Sequence, residues 1–456
     1  MSRNLLFGVL TVFLLAGALF LPFSAEDRGA VMQQHEKWPG DQPEVTGFGP
    51  NGVLTSHLPL IVLYTDGKEI PGTDGSSDKK LICDYSVIHN TSGLNRSDGV
   101  PAERGRMALS VRGNSSRDYA KKQYSVKLVD DANQTVDRSF LGMPPESSWV
   151  LNGSLLDVSQ MRNYLLYNLS GEIMDYSPRC RLCEVLTVDK NGRHVYQGIY
   201  TLIEKIKVSE NRLNLAVYDP AHTETSFIVQ INPDIDHDVM LHLKPDSISS
   251  NRMDLEYPAQ EELTDASRDY IQKQLLIFEK ALFDAMATGD WTGMEEHIDM
   301  ESFVDYYIIN EFCQNYDAGF RSTYLYKPLG EPFRIGPVWD FDGAFDNFFQ
   351  VSIRPDYMEL ASSVFYAALT QAPTFNDMCA RRYAELRRDL LSEESLCGMI
   401  QDIGDYLGSA AERNTRLWYQ KDRAYFEKSL QEMQEYIIAR GNWMDENFST
   451  SSNLIG

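Results

Sequence analysis

The chain has 456 residues, 43% of them hydrophobic, with 19 Pro against 21 Phe and 24 Tyr. That is enough apolar material for one large domain or two moderate ones, and too much for a disordered protein. Lys and Arg number 42 against 66 Asp and Glu, a formal charge of -24, which repels a phosphate backbone instead of releasing counterions from it and so argues against nucleic acid as a partner; the same charge suits divalent cations, or a basic protein met by electrostatic steering.

The N-terminus reads MSRNLLFGVLTVFLLAGALFLPFSAEDRG, with Arg3 ahead of an apolar run from Leu5 to Leu21 that ends at Pro22. Ser24-Ala25 is a poor cleavage site because Phe23 stands where a small residue is preferred, so residues 1–25 read either as a cleaved signal or as a retained N-terminal anchor. In both cases the body is expected outside the cytoplasm, in membrane contact only through this segment, with residues 26–55 as a polar linker. Residues 56–355 are then expected to form the main domain and 356–456 a helical remainder of the same domain.

From Leu58 to Leu128 the pattern is strand-like: LPLIVLYTDG ends in an Asp-Gly turn, MALSVRG alternates, and QYSVKLVDD alternates with Tyr124, Val126 and Leu128 on one face. A helix is expected in DVSQMRNYLLYNLSGEIM, where Met161, Leu165, Leu166 and Leu169 recur at helical spacing and Asp157 or Ser159 can cap it. CEVLTVDKNG and HVYQGIYTLIEKI flank Asn191-Gly192, the strongest short hairpin signal. Beyond Val229, DASRDYIQKQLLIFEKALFDAMATGD and ESFVDYYIINEFCQNY predict helices, TYLYKPLGEPFRIGPVWDFD a hairpin, and the region from about Thr374 to Phe448 an almost wholly helical end. Sheet first and helices later predicts an α+β architecture with two lobes.

Six cysteines in so long a chain do not make a disulfide scaffold. Cys180-x-x-Cys183 lacks a second Cys/His pair at zinc spacing, which leaves a local disulfide or two buried thiols. Seven N-x-Ser/Thr sequons, at Asn90, Asn95, Asn114, Asn133, Asn152, Asn168 and Asn447, matter only in a host that glycosylates exported proteins.

Two stretches could carry chemistry. In NYDAGFRSTYLYKPLGEPFRIGPVWDFDG, Asp317 follows a helix and Asp340 lies on the far side of a short hairpin, which makes the two carboxylates neighbours; with Asp342 they could form an acid/base couple or bind a hard cation. The bland alternative is that Asp340 and Asp342 cap a turn or meet an arginine such as Arg334. In VRGNSSRDYAKKQYSVKL a Gly-Asn-Ser-Ser turn rich in donors leads to Lys121, Lys122 and Lys127 entering a strand, the kind of donor set a phosphate needs; the alternative is a solvated strand edge. No P-loop, no Gly-x-Gly-x-x-Gly and no His-Arg-Asp occurs.

Taken in order, LPLIVLYTDG, VRGNSSRDYAKKQYSVKL, FLGMPPESSWVLNGSLLDVSQMRN, VYQGIYTLIEKI, FVDYYIINEFCQNYDAGFRSTYLYK and IGPVWDFDGAF resemble the CotH family of secreted and spore-coat atypical protein kinases over about residues 58 to 346. The resemblance implies a diverged, two-lobed kinase-like fold that binds ATP with magnesium, manganese or calcium and phosphorylates protein serine or threonine. It implies Lys121 as the phosphate-holding lysine with Lys122 as its fallback, Arg112, Ser115 and Ser116 in the turn above, and Glu204 near the adenine. Asp317 is then the catalytic Asp, and Asp340, with Asp342, binds metal. The chain departs from the family in carrying Ser322 where a metal-binding Asn is common, Ala120 where Pro often precedes the lysines, and Gln230 and Asn232 where relatives tend to be acidic. A CotH-like surface adhesin that binds without turnover, or a catalytically inactive kinase, is the main rival. A metal-dependent phosphohydrolase is the third reading, disfavoured because no histidine lies near the acids in sequence.

Overall fold

A computed structural model describes residues 46–74, 79–90, 93–231, 253–347, 352–363 and 365–448. The expected export segment lies outside them. Among the described residues no helix is long and apolar enough to cross a membrane. The first part of the chain is sheet: β1 (Gly47–Phe48), β2 (Leu54–Ser56), β3 (Leu60–Tyr64), β4 (Leu81–Ile88), β5 (Asn95–Arg96), β6 (Glu103–Arg112), β7 (Gln123–Val129), β8 (Arg138–Phe140), β9 (Met143–Glu146) and β10 (Ser148–Asn152). Helix α1 (Arg162–Gly171) follows, then the hairpin β11 (Cys180–Val188) and β12 (His194–Glu204) around Asn191-Gly192, as the turn signal predicts.

Seven of these strands close a barrel in the order β10-β12-β11-β3-β4-β6-β7, sealed by β10 pairing with β7. Strict alternation decides its filling, because one residue in two points inward. Tyr124, Val126 and Leu128 meet Met107, Leu109, Trp149, Leu151, Tyr200 and Leu202 inside, each such side chain contributing roughly 1.5–3 kcal/mol by leaving water. The outward residues of the same strands feed a second core shared with the helices, which holds Val150, Cys180, Ile199 and Ile203. Cys180 and Cys183 therefore lie on opposite faces of β11, and all six cysteines are free thiols, so the alternative of a local disulfide is not realised. Strand β1 and the start of β2 lie in the stretch expected as linker; β1 pairs with β2, and β2 with β5. Asn95, Asn152 and Asn168 are buried, which leaves three of the sequons without a surface to modify.

The second half is mostly helical. A four-stranded sheet, β14-β13-β15-β16, is built from β13 (Phe227–Ile231), β14 (Met253–Tyr257), β15 (Thr323–Lys327) and β16 (Arg334–Ile335), the last two forming the predicted hairpin. Helix α2 (Asp265–Thr288) starts where Thr264 Oγ1 accepts the Ser267 N–H at 3.1 Å and stops at Gly289, whose φ of 72° suits the residue that lacks a Cβ. Helix α3 (Met300–Cys313) is capped by Asp299 and ends at Gln314, also left-handed. The short α4 (Tyr366–Leu369) leads to α5 (Pro373–Arg387), α6 (Glu393–Tyr419) and α7 (Arg423–Asn447). Helix α6 buries Leu396, Ile400, Ile403, Leu407, Ala411 and Thr415 at helical spacing, bends at Gly408, and packs its C-terminal half on β12 of the barrel.

Helix α1 begins at Arg162, two to four residues later than a cap at Ser159 or Asp157 would start it. Gln160 adopts a φ of 56° and the turn from Asp157 to Gln160 is closed by its own backbone bond of 3.1 Å. The helix is buried along its whole length, in contact with β11 and α6.

Candidate functional site

The loop that follows β16, with its Trp-Asp-Phe-Asp run, is docked on α1. Arg162 Nε donates to the Ala344 carbonyl at 2.8 Å, Asn163 Oδ1 accepts the Phe341 N–H at 2.8 Å, and the Tyr167 hydroxyl accepts the Asp340 N–H at 3.2 Å. Tyr167 also meets Trp339 and Phe341 with ring centroids at 6.0 and 5.6 Å. These aromatic walls explain why acids stand in apolar company: they fix the backbone so that Asp340 and Asp342 are held beside one another. Asp340 has a φ of 63°, sparsely populated for a residue with a side chain, and the Asp342 N–H donates to its carboxylate.

Burial pushes the Asp340 carboxyl upward, with the Arg112 guanidinium opposing the shift. Burial, then the Asp340 charge, then Asp157 push Asp342 well above the usual carboxylate range. Arg112 stands over the Trp339 ring, 5.6 Å from its centroid, and reaches Gln123 Oε1 at 3.5 Å. The cation that faces Asp340 is thus Arg112. Arg334, the partner expected in the bland reading, is engaged with Asp175 at 2.8 Å, Asp299 at 3.2 Å and Glu331 at 3.5 Å.

Below the loop lies Lys121, only 1% exposed, with Nζ donating to Gln160 Oε1 at 2.6 Å and Asn414 Oδ1 at 3.1 Å and standing 5.1 Å from the Tyr200 ring centroid. Burial lowers its pKa to about 7, against the pull of Asp157 and Asp342. An ammonium placed so cannot touch a nucleotide phosphate without leaving its pocket; the expectation of direct contact is corrected to a lysine that faces Asp342 and Asp157 from within. Lys122 is half-buried, with Nζ donating to the Arg117 carbonyl at 2.6 Å.

Ser115 and Ser116 form the single turn Ser115–Asp118 above β7. Gly113, at a φ of 108°, is required there, because a Cβ would stand 1.9 Å from Ser116 Oγ. Arg117 Nε closes the turn on the Gly113 carbonyl at 2.6 Å.

Glu204 closes β12 as expected, but it is fully buried and paired with Arg179 at 2.8 Å and Arg212 at 3.3 Å, while the Tyr176 hydroxyl donates to it at 3.1 Å. Its carboxylate is committed to holding two guanidinium groups, which corrects the expectation that the side chain faces an adenine. Asp317 lies in the turn after α3, about one-third exposed and 3.8 Å from Arg321. Its turn and the acidic loop meet where the Phe345 N–H donates to the Cys313 carbonyl at 2.8 Å. Asp317, Asp340 and Asp342 do not converge as expected: among the described residues there is no group of three or more His, Cys, Asp or Glu able to share one metal ion. Ser322, half-buried at the start of β15, has a φ of 49°.

Sequence reasoning missed the residues beneath the acids. Asp157 is buried against Arg162 at 2.6 Å and accepts the Arg162 N–H at 2.9 Å; the N-cap is Met161 and not Asp157 as expected, while the Asp157 charge also bears on Lys121 and Asp342. Asn163 donates to Asp342 Oδ1. Two polar residues, Gln160 and Asn163, ahead of and within the helix were the available signal; for Asn414, in a long amphipathic helix, there was none.

Donors fit a hard divalent cation in one respect: Asp340 and Asp342 are adjacent carboxylates whose repulsion and burial a cation would relieve, with Asn163 as a neutral neighbour. A family model described as CotH kinase protein matches residues 109–444, from within β6 to the last turn of α7. No curated protein matches the chain.

Proposed function

The chain belongs to the CotH kinase protein family, and from that membership and the docked acidic loop we propose that it is an extracytoplasmic atypical protein kinase that transfers the ATP γ-phosphoryl group to protein Ser or Thr. The observation that carries this reading is the pair Asp340–Asp342, held on α1 by Arg162, Asn163 and Tyr167 and faced by Arg112. The barrel and the helical part act as the two lobes, with ATP between them.

Asp340 and Asp342 would hold magnesium, manganese or calcium, which supplies charge neutralisation for the phosphates. Arg112 and the donors of the Gly113–Ser116 turn bind phosphate oxygens, where a planar guanidinium gives paired hydrogen bonds. Lys121, when protonated, places a positive charge under Asp342 and Asp157. Asp317 accepts the proton of the acceptor hydroxyl as its oxygen forms the new P–O bond and the bond to the β-phosphate oxygen breaks, leaving ADP. Arg3 and the apolar run behind it support work outside the cytoplasm, and the charge of -24 suits a basic or Ser/Thr-rich substrate protein.

Two observations favour a second reading, a CotH-like binding protein with weak or no turnover: Ser322 in place of the usual Asn, and a Lys121 ammonium sealed from solvent. Incubating the chain with labelled ATP, each metal and a Ser-rich acceptor protein distinguishes the two. Transfer by wild type that is lost in Asp317→Ala is expected; ATP binding with no transfer under any metal favours the binding protein.

A further inference from the structure

Helix α6, the penultimate helix, reaches the site from 293 positions away, and its contact with Lys121 has the features of a built support. We propose that Asn414 is a positioning residue for Lys121, an acceptor supplied by α6 that holds the ammonium beneath the acidic loop. Asn414 is fully buried. Two donors converge on its Oδ1, Lys121 Nζ at 3.1 Å and the Ile199 N–H of β12 at 3.1 Å, while its Nδ2 has no partner. A buried amide that leaves its own donor unpaired is kept at this place for its acceptor.

The surroundings are shaped to that oxygen. Gly198, at a φ of 99°, leaves room for it, since a Cβ there would stand 2.5 Å from Asn414 Oδ1. One turn on, the Tyr419 hydroxyl accepts from Gln160 Nε2 at 3.2 Å and donates to the Leu155 carbonyl at 2.8 Å. With Ser154 O taking the same Nε2 at 2.8 Å, the Gln160 amide is oriented so that Oε1 faces the lysine. Helix α6 thus supplies one acceptor of Lys121 directly and through Tyr419 helps to orient the other, whose amide also donates to the Ser154 and Asp157 carbonyls.

Neutral acceptors are the choice that holds an ammonium without cancelling it. The other groups facing Lys121 are Asp157 ahead of α1, Asp342 in the acidic loop, and Cys183 and Tyr200 on β11 and β12. Held by two amides, the lysine's charge acts on Asp157 and Asp342. The residue that keeps the lysine in register comes from the helix pair beyond that loop, within the stretch that the family model matches. The consequence for ATP rests on the kinase reading above, whereas the placement of Lys121 does not.

Acetylation of the full chain by a lysine-reactive ester, read residue by residue by peptide mass spectrometry, tests the placement. Lys327, 8% exposed and bonded to the Glu331 carbonyl at 2.8 Å, is the buried reference. In wild type both lysines are protected. Asn414→Ala is expected to raise Lys121 acetylation about tenfold or more, the loss of one charge-assisted hydrogen bond, with Lys327 unchanged. Asn414→Asp keeps an acceptor for both donors and is expected to keep Lys121 protected. Unchanged Lys121 protection in Asn414→Ala, equal release in Asn414→Asp, or Lys121 and Lys327 released together each overturns the assignment. Metal-dependent ATP binding measured on the same variants separates the two ideas: no binding by wild type, with the acetylation pattern as expected, removes the kinase reading and leaves the positioning role standing.

Discussion

Replacing Lys121 by Met should stabilise the protein at neutral pH, by an amount that shrinks as pH rises. Burial holds the Lys121 pKa at about 7 in the folded chain against an unperturbed 10.5. Between those values the unfolded state binds the proton more often than the folded one, so the cost is full below about pH 7 and fades toward pH 10.5. At 1.36 kcal/mol per unit, the lysine costs roughly 4 kcal/mol at pH 7 and roughly 2 kcal/mol at pH 9. Met fills the same volume without charge but leaves Gln160 Oε1 without the lysine and Asn414 Oδ1 with only Ile199, a loss of about 1–3 kcal/mol. The expected net gain is about 1–3 kcal/mol at pH 7, and the gap between variant and wild type narrows by about 2 kcal/mol up to pH 9. Urea unfolding of both proteins in chelator at pH 7, 8 and 9 measures this, with titrations common to both cancelling in the difference. A gap independent of pH, or a Met variant less stable at pH 7, would refute the reasoning.

Asp342, pushed up by burial and by Asp340, destabilises the fold as pH rises from the ordinary carboxylate range through its own raised value, because the unfolded chain releases that proton first. Asp342→Asn should therefore melt no lower than wild type in chelator at pH 7 and lose the rise in Tm that magnesium gives wild type; calorimetric melting with and without metal decides, and a wild-type Tm indifferent to every metal contradicts it. Glu204→Gln leaves Arg179 and Arg212 without their buried counter-charge and should cost about 3–5 kcal/mol in urea unfolding; a variant of wild-type stability with weakened ATP binding would restore the adenine role. Ser322→Asn places a residue more at ease at a φ of 49°, and its Tm should hold or rise slightly while magnesium affinity increases; a lower Tm contradicts it.

The fold was legible wherever local physics decides it. Alternation in QYSVKLV placed Tyr124, Val126 and Leu128 inside, Asn191-Gly192 made its hairpin, and the apolar stripes of α2 and α3 gave helices within three residues of their ends. Barrel closure was not legible, because pairing β7 with β10 depends on register between distant strands. Asp340 and Asp342 were singled out by residue type and order and Arg112 through the family resemblance, and the structure sets Arg112 opposite Asp340. What those residues touch was hidden: Glu204 looked available until Arg179 and Arg212, distant in sequence on one side, converged on it, and Lys121 looked like a surface lysine until Gln160 and Asn414 closed over it. Asn414 belongs to a helix whose pattern announces only packing. Contacts between remote segments carry no periodicity, and periodicity is what a single sequence displays.

The central claim is that the loop carrying Asp340 and Asp342, faced by Arg112, binds ATP together with a divalent metal. Calorimetric titration of ATP into wild type, Asp340→Asn, Arg112→Ala and Asp317→Ala, each with magnesium and with chelator, tests it most directly. The account predicts binding by wild type only with metal, loss in Asp340→Asn, weakening in Arg112→Ala, and nearly unchanged affinity in Asp317→Ala, which faces the acceptor hydroxyl. Wild type that binds ATP equally in chelator, or not at all with magnesium, manganese or calcium, would contradict it.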